Sequence, residues 1–157
     1  MNIKGLTVSY TDGDHSLLAL DGVDLTLSPG RVTALVGESG SGKTTLGKAL
    51  IGLLPENARM RGSVRLDDTD ILKLSEKAMN MYRWQRVSMV FQDGQAGLNP
   101  VMRVSDQVAE PLIQRLGLGS EEAVFAAKRR LEEVGLDAGL AKRYPHELSG
   151  GQAQRVL

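Results

Sequence analysis

The chain has 157 residues, which fits one domain, and its 41% of hydrophobic residues can build a core although aromatic residues make up only 4%. Nineteen basic residues balance nineteen acidic ones, so the net charge favours neither nucleic acid nor an anionic membrane as a partner. The absence of cysteine excludes disulfides and thiolate metal sites, and no apolar run approaches the roughly 20 residues of a membrane helix.

The first part of the chain predicts a small antiparallel sheet. Partial alternation of apolar residues predicts a strand over residues 2–10, and clearer alternation predicts a second over residues 20–27. A third short strand, residues 62–66, is expected to pair with these two. The continuous apolar run at residues 32–36 indicates a short, fully buried strand.

This buried strand is followed by a glycine-rich turn and a helix that should extend to residue 54. Residues 37–44 match G-x-x-x-x-G-K-[ST], the phosphate-binding P-loop. Glycines let backbone N–H groups approach phosphate oxygens, and the start of the helix adds unpaired N–H groups and a positive dipole end. Lys43 supplies a charge for the β- and γ-phosphates, and the Thr44 hydroxyl can ligate Mg²⁺. The alternative is a flexible Gly/Ser turn, but the flanking strand and helix favour a nucleotide site. Its candidate residues are Gly37, Ser39, Gly40, Ser41, Gly42, Lys43, Thr44 and Thr45.

The second part of the chain is predicted to be mainly helical. Ser75 can cap a helix that reaches about Trp84, and residues 87–91 form an apolar run that indicates a second buried strand. A loop rich in helix breakers follows at residues 94–100. Further helices are predicted at residues 105–116, 120–134 and 138–143.

A second candidate anion site lies near the end of the sequence. Ser149, with Gln152 three residues later, fits the S-x-x-[EQ] capping box and predicts the start of a helix. Gly150 and Gly151 in its first turn each cost roughly 1 kcal/mol against alanine, which makes sense where a ligand approaches the backbone. Taken alone, these residues are also compatible with an ordinary serine-capped helix.

The two sites together resemble the ABC (ATP-binding cassette) ATPase family, whose signature motif LSGGQ corresponds to residues 148–152. The resemblance implies that Tyr10 stacks on adenine and that Gln92 is the Q-loop glutamine, which contacts Mg²⁺ and the attacking water. The implied cofactors are ATP and Mg²⁺, the latter held by Thr44 and Gln92. The implied fold is α/β, a P-loop NTPase with a small antiparallel β-subdomain, a partial parallel core sheet and a helical subdomain. Residues 1–92 would form the β-subdomain and P-loop core, and residues 93–157 the Q-loop and helical subdomain.

Finer features are similar to the branch that energises import of oligopeptides, dipeptides, nickel or glutathione. Residues 91–93, 98–100 and 144–147 match its habits, whereas Gly94 stands where that branch usually has proline. The resemblance implies membrane-spanning permease subunits as partners, docking on Gln92 and residues 93–101, and a second ATP-binding subunit. No nucleic acid is expected. The implied location is cytoplasmic, peripheral on the inner face of the cell membrane.

In this family the Walker B strand, with its catalytic glutamate, comes after the signature helix. The sequence offers no substitute upstream, so we expect a domain incomplete at its C-terminus that is inactive and poorly stable by itself. Two alternatives remain open. One is a non-transport ABC ATPase acting in DNA repair, translation or phosphonate breakdown, and the other is a truncated, catalytically dead binding module. Transport is favoured, because an ordinary helical segment without cysteine joins Thr45 to Leu148.

Overall fold

The computed structural model describes residues 1–83, 85–91 and 96–157. The chain divides into two compact units, Met1–Met89 and Val90–Leu157. Each unit has its own hydrophobic core. The candidate P-loop belongs to the first unit and the signature motif to the second.

An antiparallel sheet of four strands forms the framework of the first unit. The strands are β1 (Asn2–Asp12), β2 (His15–Thr26), β3 (Ala58–Leu66) and β4 (Thr69–Asp70), in the order β2-β1-β3-β4. This confirms the predicted pairing of the first three strands. β3 begins four residues before the predicted start, since Arg59 and Arg61 pair with β1 while facing solvent and so interrupt the apolar pattern.

One face of this sheet carries the core of the unit. Ile3, Leu6 and Val8 of β1 are almost completely buried against a helix, α1 (Lys43–Leu50), which presents Leu46 and Ala49. This helix ends four residues before the predicted end. Gly52 adopts a left-handed conformation just beyond it, with φ of +64°, and stops the helix there.

A second helix of this unit, α2 (Glu76–Tyr82), follows a 3₁₀ turn at Ile71–Lys73. The Ser75 hydroxyl accepts a hydrogen bond from the Ala78 N–H at 3.3 Å, which confirms the predicted cap. Trp84, the predicted end of the helix, lies outside the described residues.

The strand predictions at residues 32–36 and 87–91 are wrong. Residues 31–38 have no regular secondary structure, and Val32 and Val36 are 101% and 90% exposed. The later run makes one isolated bridge, between Arg83 and Val87, and Val90 is 66% exposed. An apolar run becomes a buried strand only where another segment pairs along its length, and within the described ranges neither run has such a partner beyond this single bridge.

The described part of the second unit contains three helices and two 3₁₀ turns. They are α3 (Val104–Leu116), α4 (Ser120–Glu133) and α5 (Gly150–Val156), with 3₁₀ turns at Ala138–Lys142 and Pro145–Glu147. The two long helices agree with the predicted ones to within one residue at each end. They pack through Ala109, Ala123 and Ala127, whose small side chains permit close contact. In the part of the chain that the structure describes, no helix is both long enough and apolar enough to cross a membrane.

We expect residues 1–157, expressed alone, to self-associate. The exposed run around Val32 and Val36 offers unpaired backbone groups and apolar side chains to other chains, as an unprotected strand edge does. Light scattering as a function of protein concentration measures this. Replacing both valines by lysine should reduce the association. Lysine in place of Phe125, an exposed apolar residue within helix α4, should leave the association unchanged. A parent chain that stays monomeric and melts cooperatively would contradict the prediction.

Candidate functional site

The loop before α1 is shaped by glycines in conformations that other residues rarely adopt. Gly40 and Gly42 have φ of +83° and +87°, and Gly42 is the N-cap of α1. A Cβ at Gly42 would lie 2.7 Å from the Ala19 carbonyl oxygen and 2.8 Å from Leu20 Cδ2, both in β2. The loop therefore lies directly against β2, and only glycine fits at this contact.

The N-terminus of α1 is open for an anion. Gly42 provides no side-chain cap, and the first turn of α1 contains no acidic residue. Its first N–H groups and the positive end of its dipole are therefore available to a ligand.

Lys43 is held inside the loop by three hydrogen bonds. Its Nζ donates to the Gly37 carbonyl at 2.8 Å, to the Glu38 carbonyl at 2.5 Å and to the Ser41 hydroxyl at 3.1 Å. An ammonium group has three N–H donors, so all of them are used. Gly37 thus contributes a carbonyl that positions the lysine.

Tyr10 lies beside the same loop. The Tyr10 hydroxyl donates to Thr45 Oγ1 at 3.2 Å, which joins β1 to the first turn of α1. A cleft of about 510 Å³ opens here, within the range of small-molecule sites. It is lined by Tyr10, by Leu17, Leu18 and Ala19 of β2, and by residues 39–45.

Sequence reasoning missed the contribution of β2 to this cleft. Leu17 and Leu18 are exposed, and Leu17 pairs with Tyr10 across the hairpin. A tight turn at Gly13-Asp14 brings these leucines beside Tyr10. The second strand was predicted to begin at residue 20, whereas β2 begins at His15, so the pairing of its first residues with Tyr10 was not foreseen.

The predicted capping box at the signature motif is confirmed. Ser149 Oγ accepts from the Gln152 N–H at 3.3 Å, and the Ser149 N–H donates to Gln152 Oε1 at 2.9 Å. A Cβ on Gly150 or Gly151 would meet nothing within 4 Å, so the backbone of this turn is open to approach from outside.

Gln92, the candidate Q-loop residue, lies outside the described residues. Among the residues that are described, no group of three or more histidine, aspartate or glutamate side chains is placed to hold a metal ion.

Comparison with known proteins gives consistent results. The family model described as ABC transporter matches residues 20–157. The chain is 42% identical over 161 residues to the oligopeptide transport ATP-binding protein OppD of Mycobacterium tuberculosis. The alignment covers 100% of this chain and 26% of that protein. It is 38% identical over 159 residues to OppD of Salmonella typhimurium, with 100% of this chain and 48% of the relative covered. The chain thus spans half or less of the length of these curated relatives.

Among solved structures, a dimeric ATP-binding cassette, MJ0796, bound to ADP and Pi in a post-hydrolysis state is similar to this chain. The TM-score is 0.86 at 30% sequence identity, and the match covers 99% of this chain and 66% of the other. A second dimeric structure of the same cassette gives a TM-score of 0.85.

Proposed function

The chain belongs to the ABC transporter family, and we propose that it forms the nucleotide-binding part of an ATP-binding subunit that powers peptide import. The observation that carries this proposal is the single cleft shared by Tyr10 and the loop around Lys43. The peptide substrate is taken from the oligopeptide transport proteins to which the chain is similar. Those relatives also make a non-transport role the weaker alternative.

In this proposal, the apolar wall of the cleft binds the base of the nucleotide, and the wall formed by the loop and α1 binds its phosphates. The Tyr10 ring and the Leu17 and Leu18 side chains offer apolar surface for a purine base, and aromatic stacking adds to the contact. The open N–H groups of α1 face the phosphates. Lys43 exchanges its contacts with neutral loop oxygens for contacts with phosphate oxygens, because an ammonium group binds an anionic oxygen more strongly than a neutral carbonyl or hydroxyl oxygen.

Thr44 fits the role of a Mg²⁺ ligand. It lines the cleft beside Lys43, and its hydroxyl makes no hydrogen bond to any other described residue. The Thr44 hydroxyl would hold Mg²⁺, and the bound ion would supply positive charge to offset the charge of the phosphates. Gln92 remains the proposed second protein ligand.

The signature residues Ser149, Gly150, Gly151 and Gln152 are proposed to contact the nucleotide held by a second ATP-binding subunit. Their open backbone supports such an approach from outside, and the related cassette MJ0796 is dimeric. Permease subunits are the proposed membrane partners, which would hold the protein at the inner face of the membrane. Val101, the last residue of the predicted docking loop, is 80% exposed and available for that contact.

The test compares the full-length protein, assembled with its permease in liposomes, with residues 1–157 alone. We expect ATP-driven oligopeptide uptake by the complex. Residues 1–157 alone should release no phosphate above background, because none of the described residues that line the cleft carries a carboxylate to act as a general base for the attacking water.

Two results would contradict this proposal. One is Mg²⁺-dependent turnover by residues 1–157 that is lost in Lys43→Ala. The other is an intact complex that hydrolyses ATP without moving any peptide.

A further inference from the structure

Helix α5 contacts the chain just before the predicted docking loop, at Phe91, and within that loop, at Gly97. Gln154 Nε2 donates to the Phe91 carbonyl oxygen at 2.6 Å, across 63 positions of sequence. Leu157 packs so closely on Gly97 that a Cβ there would lie 2.9 Å from Leu157 Cδ2. Both contacts lie within the second unit.

These contacts start from the helix that begins with the signature motif. Seven residues give α5 a length of roughly 10 Å, with Ser149 at its start and Gln154 and Leu157 near its end. A displacement at the signature residues would therefore be carried as a rigid shift to Phe91 and Gly97.

The position of α5 itself does not depend on Gln154. Ala153 is completely buried in the core of the unit, and Leu148 is buried beside it. On the other side, Arg155 Nη1 donates to the Val134 and Gly135 carbonyls at 3.3 and 3.1 Å, which fastens α5 to the end of α4. The Gln154 amide thus reaches away from these anchors to the chain at Phe91.

The turn that follows Gly97 is itself held firmly. The Gln107 side chain accepts from the Asn99 N–H at 2.7 Å and donates to the Asn99 and Met102 carbonyls, both at 3.0 Å. Residues 99–102 are therefore fastened to α3 as one body, with Val101 exposed at its surface. Because these hydrogen bonds make the turn rigid, a displacement of Gly97 is passed on to residues 99–102.

We propose that Gln154 and Leu157 are positioning residues that link ligand contact at the signature motif to the chain at Phe91, where the docking loop begins, and at Gly97 within that loop. This inference rests on the proposed function, because it assumes that a nucleotide engages the signature residues. The inference is that the Gln154 and Leu157 side chains, which follow the signature motif, transmit nucleotide binding at that motif to the docking loop.

Amide hydrogen exchange on the full-length protein, with and without a non-hydrolysable ATP analogue and Mg²⁺, tests the link. Two peptides are followed, one over residues 37–50 and one over residues 96–103. Gln154→Leu removes the donor at nearly constant size, and Gln154→Lys keeps a donor. The matched control is Gln114→Leu, which removes a hydrogen bond of 2.9 Å between Gln114 and Glu110 within α3.

In the parent and in Gln114→Leu, the analogue should slow exchange in both peptides. In Gln154→Leu, the P-loop peptide should respond as in the parent, while the response of residues 96–103 falls roughly three- to tenfold, the range expected for one hydrogen bond. Gln154→Lys should restore it. Leu157→Ala should weaken the same response and provides the second test if Gln154→Leu does not fold.

The outcomes separate the two proposals. An unchanged response of residues 96–103 in both Gln154→Leu and Leu157→Ala, with the P-loop protected, would overturn the link alone. A parent protein whose P-loop peptide is not protected by the analogue would overturn the proposed function.

Discussion

Replacing Gly42 by alanine is expected to lower the free energy of unfolding by about 2–5 kcal/mol and to abolish nucleotide binding. A left-handed conformation costs a residue with a Cβ roughly 1–2 kcal/mol. The new methyl group would also overlap the Ala19 carbonyl, a backbone atom that cannot turn aside, and such overpacking costs about 1–3 kcal/mol more. Because a domain has only about 5–15 kcal/mol of stability, the loop is expected to move away from β2 and lose its shape.

Gly40→Ala is the matched control. Gly40 has nearly the same φ, +83°, but a Cβ there would meet nothing within 4 Å. This variant should show only the conformational cost, about 1–2 kcal/mol. Urea unfolding of the full-length protein, followed by nucleotide titration, measures both effects. Equal losses of stability in the two variants would show that contact with β2 does not shape the loop.

Lys43→Ala should weaken ATP binding by about 1.5–3 kcal/mol, a factor of roughly 10–150 in Kd. The lysine already has three partners in the loop, so binding replaces existing contacts and the loss should lie towards the lower end of that range. Titration with a fluorescent ATP analogue measures it.

Lys48→Ala removes the same charge from the last turn of the same helix, away from the cleft. It should change the affinity little. If Lys43→Ala binds the analogue as tightly as Lys48→Ala does, then Lys43 does not hold phosphate.

The features that the sequence predicted correctly depend on local chemistry. The P-loop pattern specifies where α1 begins, and the spacing of Ser149 and Gln152 specifies the capping box, because in each case the interacting groups are within a few residues of each other. Ser75 could be identified as a cap for the same reason.

The errors arise where distant parts of the chain decide the outcome. The apolar residues 32–36 indicate burial, but whether they form a strand depends on a pairing segment that the local pattern cannot reveal. The leucines at 17 and 18 became part of the cleft through the hairpin register, which the prediction of a second strand starting only at residue 20 concealed. The early end of α1 has a different cause. Gly52 indicates a helix end in the sequence, but the prediction followed the apolar spacing, which continues to residue 54.

The three bonds of Lys43 also bear on how the site would choose among nucleotides. Two backbone carbonyls converge on the ammonium, so the loop keeps its cation and its curvature before any ligand arrives. Because the Lys43 ammonium would contact the phosphates of any nucleoside triphosphate in the same way, the phosphate-binding side of the cleft cannot distinguish adenine from guanine. Selectivity for the base must then come from the opposite wall, where Tyr10 and the two leucines of β2 present a surface with few polar groups to read. Such a wall distinguishes purines by shape and stacking more than by hydrogen bonds, which predicts modest discrimination between ATP and GTP.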